Sequence, residues 1–185
     1  MIDSKRNDEG FTGLEAAIVL IAFVVVAAVF SYVVLGAGFF TTQKAQETVY
    51  KGVEQSTANI QMIGNVYGLS TNNETITTIT FVIGLAPGAP PMDLTKMKIV
   101  FSTPTTTPKI LTQVNGTATE ELFTTKIGTT PVSSLNANDQ VEILFKVAGV
   151  PANTKMNFEL RPAVGAALPF SKTAPATITN TNVLY

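Results

Sequence analysis

Cysteine and histidine are both absent from the 185 residues. Their absence removes disulfides, thiolate nucleophiles, the commonest general base near neutral pH and the usual zinc ligands together. It leaves the redox compartment open, since a chain without thiols is equally at home inside or outside a cell. Charge is scarce as well: 14% of residues are Asp, Glu, Lys or Arg, and the formal net charge is -1. No basic field exists to hold a phosphate backbone, so nucleic acid is not an expected partner. Proline is missing from the first 86 residues, and all ten prolines lie beyond that point. The early part of the chain can therefore be one unbroken helix, whereas the later part is punctuated like strands and turns.

Candidate chemistry is thin in what remains. Glu120 and Glu121 are adjacent, which on a strand sends them to opposite faces and prevents them from working as a pair on one substrate. Serines and lysines occur without a spacing that forms a dyad, and Gly36-Ala37-Gly38 lacks the third glycine and preceding strand of a phosphate loop. Asp93 and Asp139 sit among asparagines, but no calcium-loop spacing surrounds them, and they read as solvated turns. The expectation is a chain with no catalytic residues, no cofactor and no metal, which is not an enzyme.

What is present is a long apolar run. From Ala16 to Phe40 every residue is apolar, alanine or glycine except Ser31 and Tyr32. That is about 25 residues, more than the roughly 20 that cross a bilayer. Because the run has no polar side, lipid or protein must surround it everywhere, and in lipid the backbone must close its hydrogen bonds within the segment. Helix therefore wins over the strand preference of its valines and isoleucines. A secretory signal has a shorter core and an earlier small-residue cleavage site, so a retained segment fits better, with an uncleaved single-span anchor as the plain alternative. Lys5 and Arg6 favour a cytoplasmic N-terminal side, which sends everything beyond Phe40 outside.

Beyond Phe40, Val49, Val53, Ser56, Ile60, Ile63 and Tyr67 recur at spacings of four and three, a heptad seam with Lys44, Glu47, Lys51 and Glu54 mostly off it. This spacing predicts that the helix runs from Phe11 to about Tyr67, roughly 85 Å at 1.5 Å per residue, longer than any bilayer needs. The seam could pack on the chain's own following domain or on another subunit. Gly13 with Ala17 and Ala27 with Ser31 are small pairs four residues apart, where helices can approach closely.

The stretch EGFTGLEAAIVLIAFVVVAAVFSYVVLGAGFFTTQKAQE resembles the N-terminus of archaellins, the archaeal flagellins, which share a leader with type IV pilins. The resemblance rests on Lys5, Arg6, the acidic Asp8 and Glu9, Gly10 followed by Phe11, then Gly13, Glu15 and the apolar run, and it covers about the first third of the chain. It implies residues 1–10 as a leader removed by a prepilin-type aspartyl peptidase between Gly10 and Phe11, where glycine lets a protease approach the backbone. It implies residues 11–69 as the helix forming a filament core and residues 70–185 as an outer domain. Loss of the leader removes Lys5 and Arg6 from 12 basic side chains and Asp3, Asp8 and Glu9 from 13 acidic ones, leaving ten of each. A membrane carboxylate usually has a partner, so Glu15 is expected to offset the new ammonium of Phe11, within its helix or across subunits. The simpler reading is an acid near a helix N-terminus, snorkelling to headgroups.

The resemblance further implies a structural subunit of the archaellum, waiting in the cytoplasmic membrane and then polymerising outside the cell. Its partners would be copies of itself or related archaellins, the peptidase, and the assembly and motor machinery of swimming. An adhesive archaeal type IV pilus subunit would share the leader and helix, and a monomeric membrane-anchored binding module would be uncleaved.

Seven strands are expected after Thr71, near 75–85, 96–102, 109–114, 122–127, 140–148, 155–161 and 176–184. Ile79, Phe81 and Ile83 alternate with Thr78, Thr80 and Val82, as half-buried strands do. The fold class is α+β: a long N-terminal hydrophobic helix followed by an antiparallel β-sandwich of immunoglobulin-like type, in agreement with what the resemblance implies. Two sequons, Asn73-Glu74-Thr75 and Asn115-Gly116-Thr117, lie in turn-like contexts on the side expected to be outside, and N-glycosylation of at least one is expected.

Overall fold

The computed structural model describes the backbone from Ser4 to Tyr185 and side chains from Gly13 onward. The chain divides into two compact units, Met1–Tyr50 and Lys51–Tyr185. Among the described residues the first unit is all helix. The helix, α1, runs Ser4–Thr57, 54 residues, and its last residues belong to the second unit.

The helix ends earlier than its seam predicts. After Ala58, whose N–H still bonds the Glu54 carbonyl at 2.9 Å, the chain turns, and residues Ile60–Leu69 form strand β1. Val49, Val53 and Ser56 are helical, whereas Ile60, Ile63 and Tyr67 are not. The correction has a physical cause. Gly64 takes φ of +75°, outside the helical region, and bulges β1 between Ile63 and Tyr67. On either side of it β1 pairs antiparallel with β2 (Thr75–Leu85), and beyond it with β12 (Thr181–Leu184). Ladders on two sides and the burial of Val66 outweigh a local spacing shared by chance with a heptad.

The remaining strands are β3 (Met92–Asp93), β4 (Lys98–Thr103), β5 (Thr106–Gln113), β6 (Leu122–Ile127), β7 (Thr130–Pro131), β8 (Ser134–Leu135), β9 (Gln140–Pro151), β10 (Lys155–Arg161) and β11 (Leu168–Thr173). The expected strands at 75–85, 122–127 and 155–161 match in full. Strand β11 is not among the expected ones, because Pro169 and a short irregular apolar pattern hide it, and the last expected strand shrinks to four residues.

Apart from β3 and β8, which pair only with each other, the strands form two layers. One has the order β12-β1-β2-β9-β6-β7 and the other β11-β10-β4-β5. Pairing is antiparallel with one exception: β5 and β6 run parallel, with Thr112 opposite Leu122 and Gln113 opposite Phe123. The chain crosses from one layer to the other through residues 114–121, so β6 enters in the direction of β5 and stitches the two layers together. On the opposite side, Thr173 and Tyr185 exchange both backbone hydrogen bonds, which ties the end of β11 to the residue after β12. Thus neither layer presents a fully open edge there.

The core lies between the layers. Phe81 and Phe145 come from one layer, and Phe101, Phe158 and Phe170 from the other. Phe158 is the hub, with ring centroids 5.4 Å from Phe101, 4.9 Å from Phe170 and 6.4 Å from both Phe81 and Phe145. Such edge and offset contacts add to the burial of each ring. One further contact holds the point where α1 becomes β1. Gly165, at φ of +100°, lies against Ala58 so closely that a Cβ would fall 1.6 Å from the Ala58 carbonyl oxygen. Ala86 N–H bonds the Asn59 carbonyl on the neighbouring side.

Candidate functional site

The feature that the isolated fold does not explain is α1. Every side chain from Gly13 to Thr57 is exposed. Phe23, Val24, Val25 and Val26 are 71%, 61%, 55% and 63% exposed. Four successive positions about 100° apart sample the whole circumference of a helix, so no side of this segment is covered. Burial of one such side chain contributes about 1.5–3 kcal/mol, and a run of them exceeds the ~5–15 kcal/mol that separates a folded domain from its unfolded state. The segment is long and apolar enough to cross a membrane, with mean hydropathy 3.0 over its most apolar window.

Its glycines point the same way. Around Gly13, Gly36, Gly38 and Gly52 nothing approaches an added Cβ within 4 Å, and none of the four has positive φ. Each costs a helix about 1 kcal/mol relative to alanine. The chain alone makes no use of them, whereas a second helix lying close would.

Several polar groups on α1 bond within the helix. The hydroxyls of Thr41, Thr42, Thr48 and Thr57 donate to the carbonyls of Ala37, Gly38, Lys44 and Val53 at 2.8–2.9 Å. Lys44 Nζ lies 2.8 Å from Glu47 and 6.0 Å from the centre of the Phe40 ring. A threonine bonded to its own helix loses little on leaving water. The threonines of the lower part of α1 are therefore less costly to bury than the composition of TTQKAQET suggests.

Gly13, Glu15, Ala17, Ala27 and Ser31 all lie exposed on α1. Lys5, Arg6, Gly10 and Phe11 fall on its first turns, and their side chains are outside the described residues. Of the sequons, Asn73 occupies the β1–β2 loop with φ of +57°, and both Asn73 and Asn115 are exposed. The Asn115 amide donates to Ser133 Oγ at 3.0 Å, so that nitrogen is engaged in the folded chain. The Asn73 loop is instead organised by Asn72, whose Oδ1 accepts from the Glu74 and Thr75 amides at 3.1 Å.

The acidic groups of the outer domain serve local structure. Asp93 accepts from the Thr95 hydroxyl at 2.6 Å and the Thr95 amide at 2.9 Å, capping a single turn over Leu94–Lys96. These hydrogen bonds hold its carboxyl below the ordinary aspartate value. Glu159 is likewise lowered by its hydrogen bond from Arg161, whose own value is raised by the same contact. Glu120 pairs with Lys109. Among the described residues no group of three or more Asp and Glu side chains is placed to hold a metal ion.

Comparison with known proteins follows the same line. Residues 10–172 match the family model for archaeal-type flagellin. The chain is 40% identical to probable flagellin 1 of Archaeoglobus fulgidus, across 97% of this chain and 96% of that one. It is 91% identical to the 24 kDa flagellin of Methanospirillum hungatei over 32 residues, 17% of this chain and the whole of that sequence. The structure of the archaeal flagellum of Methanospirillum hungatei strain JF1 superposes with TM-score 0.72 at 35% identity, over 94% of this chain and 99% of that one. At 16% identity, the crystal structure of an archaeal flagellin from Methanocaldococcus jannaschii shares the fold, with TM-score 0.60 over 69% of this chain and 96% of its own.

Proposed function

The chain belongs to the archaeal-type flagellin family, and from this we propose that α1 is its polymerising element, packed among the α1 helices of other copies with the sandwich outside. It is a structural subunit of the archaellum, located in an extracellular filament. The observation that carries the proposal is the complete exposure of an apolar helix whose glycines have no use within the chain. In a membrane the helix would be solvated by lipid. In a filament it exchanges lipid for protein contact, so packing and cooperativity decide the transfer. A repeated head-to-tail contact that does not close yields a helical polymer, and many helices packed together supply the stiffness that carries rotation to thrust.

Maturation follows from the same reading. A prepilin-type aspartyl peptidase cuts between Gly10 and Phe11, where a glycine lets the protease approach the backbone. The subunit waits in the cytoplasmic membrane through α1 and is handed to the assembly and motor machinery. Glu15 offsets the ammonium of Phe11 during docking. The chain performs no catalysis. Asn73 is the better acceptor for an N-glycan, because the Asn115 amide is already engaged with Ser133.

Electron microscopy of purified surface filaments, with N-terminal sequencing of their subunit, tests the reading. Swimming filaments whose subunit begins FTGLE support it; the same terminus in fibres that do not rotate, or an intact Met1 in dispersed membranes, overturns it. Glu15→Gln is expected to lower filament yield with leader removal unchanged, and normal yield removes the pairing role. Intact mass equal to the bare polypeptide ends the proposal of a glycan at either asparagine.

A further inference from the structure

The two outward faces of the sandwich differ in chemistry. On the β12-β1-β2-β9 layer the register sets Val183 beside Tyr67, Tyr67 beside Thr80, and Thr80 beside Leu144. Leu69 flanks this row on one side, and Ile63 beside Val82 flanks it on the other. Six large apolar side chains therefore point away from the core, where a sheet with one wet face carries polar residues. Tyr67 is 38% and Val183 46% exposed, and the other four are half-buried. The charges here are few, and exposed Lys146 stands opposite Thr78. Lys126 stands opposite Glu142, and Glu142 accepts from the Thr80 hydroxyl at 2.7 Å. On the other layer, Asn157 lies between Ser102 and Ser171, Arg161 lies opposite Lys98, and Arg161 is paired with Glu159 at 2.8 Å. That face has its own apolar pair, Val100 beside an exposed Ile110, but Lys98, Lys155, Glu159 and Arg161 surround it with charge.

We propose that the outward face of the β12-β1-β2-β9 layer docks on the sandwich of a second copy of this chain within the filament. The inference rests on the filament reading, which places copies of the chain beside one another. Size argues for the same occupant. Four strands about 4.8 Å apart and three rows of side chains about 7 Å apart cover roughly 400 Å², half of the ~800 Å² per partner of a stable independent complex. A contact this small is insufficient to hold a separate binding partner, but it is sufficient where α1 already holds neighbouring copies in place, because the second contact is then intramolecular in effect. With two lysines against one carboxylate, the face carries a small charge, and its repulsion between identical copies is weak at physiological salt.

The absence of cysteine makes the test direct. Val183→Cys and, at the other end of the row, Leu144→Cys each introduce a single thiol, with Ser171→Cys on the polar face as control. Filaments and detergent-dispersed full-length subunits are labelled with a maleimide, and the filaments are also treated with a maleimide-benzophenone cross-linker. The expected result is labelling at least tenfold slower in filaments at positions 183 and 144, little change at 171, and cross-linked products at multiples of the subunit mass. Filaments in which the thiols introduced at positions 183 and 144 react at the dispersed rate overturn this inference and leave the filament reading standing. Slow labelling with cross-links only to a protein of different mass overturns it too, in favour of another surface partner. Recovery of the unsubstituted chain solely as a dispersed membrane protein removes both.

Discussion

At Phe158 one ring meets four others drawn from both layers, so its loss opens a cavity that neither layer can close alone. Phe158→Ala is expected to destabilise the sandwich by about 3–5 kcal/mol, read from denaturant unfolding of the full-length chain in detergent. Gly165 is a different kind of residue, constrained by backbone. With φ of +100° and the Ala58 carbonyl where a side chain would begin, Gly165→Ala must move either its own loop or the end of α1. The expected cost is at least ~2 kcal/mol, with faster amide exchange at residues 58–60 as the local signature. Asp93 makes stability depend on acid. Its carboxyl is held below the ordinary aspartate value, so its contribution is complete above the unfolded value near pH 4 and is lost as pH falls through the lower folded value. Asp93→Asn should lower the melting temperature at neutral pH and flatten its acid dependence below about pH 4. An unchanged acid profile would remove the cap from the account. None of these three roles is written in the local sequence, because each depends on a neighbour brought from elsewhere or on a turn geometry that spacing alone does not specify.

At the scale of the element, α1 and β1 show opposite outcomes of the same kind of reading. The apolar run of α1 is legible because so long a stretch without a polar side leaves only a fully surrounded helix. Ile60, Ile63 and Tyr67 also fit helical spacing, yet they lie on a strand, because β2 and β12 offer paired ladders and Gly64 takes a left-handed bend. Short-range periodicity cannot weigh partners outside the window it reads, whether on β2 or on the far more distant β12. The glycines of α1 supply the element's own prediction. Gly36→Ala should raise helical stability of the dispersed subunit by about 1 kcal/mol, since nothing obstructs the methyl group. It should lower the temperature at which filaments dissociate, because a neighbouring helix needs the space. A rise in both quantities would mean that no close approach occurs at that position.

For the whole molecule, scarcity of charge has a consequence for assembly. With the proposed leader removed, a subunit carries ten basic and ten acidic side chains, and filaments of such subunits should have a dissociation temperature that changes by only a few degrees between about 0.05 and 0.5 M salt. Light scattering during a thermal ramp measures this, and a large salt dependence would place the cohesion in ion pairs instead. The two-layer sandwich, closed through β6 on one side and the Thr173–Tyr185 pair on the other, leaves little free strand edge for unplanned association. A polymer built from it is therefore expected to form without strand-edge pairing between sandwiches.

Composition and periodicity alone determined that a long apolar helix precedes an alternating β-domain, since both follow from the local hydrophobic pattern. The end of α1 at Thr57, the parallel stitch of β5 to β6, the aromatic hub and the unequal outward faces were decided only by tertiary structure. Each depends on which distant strands lie side by side, and pairing energy between remote segments leaves no mark on either segment read by itself.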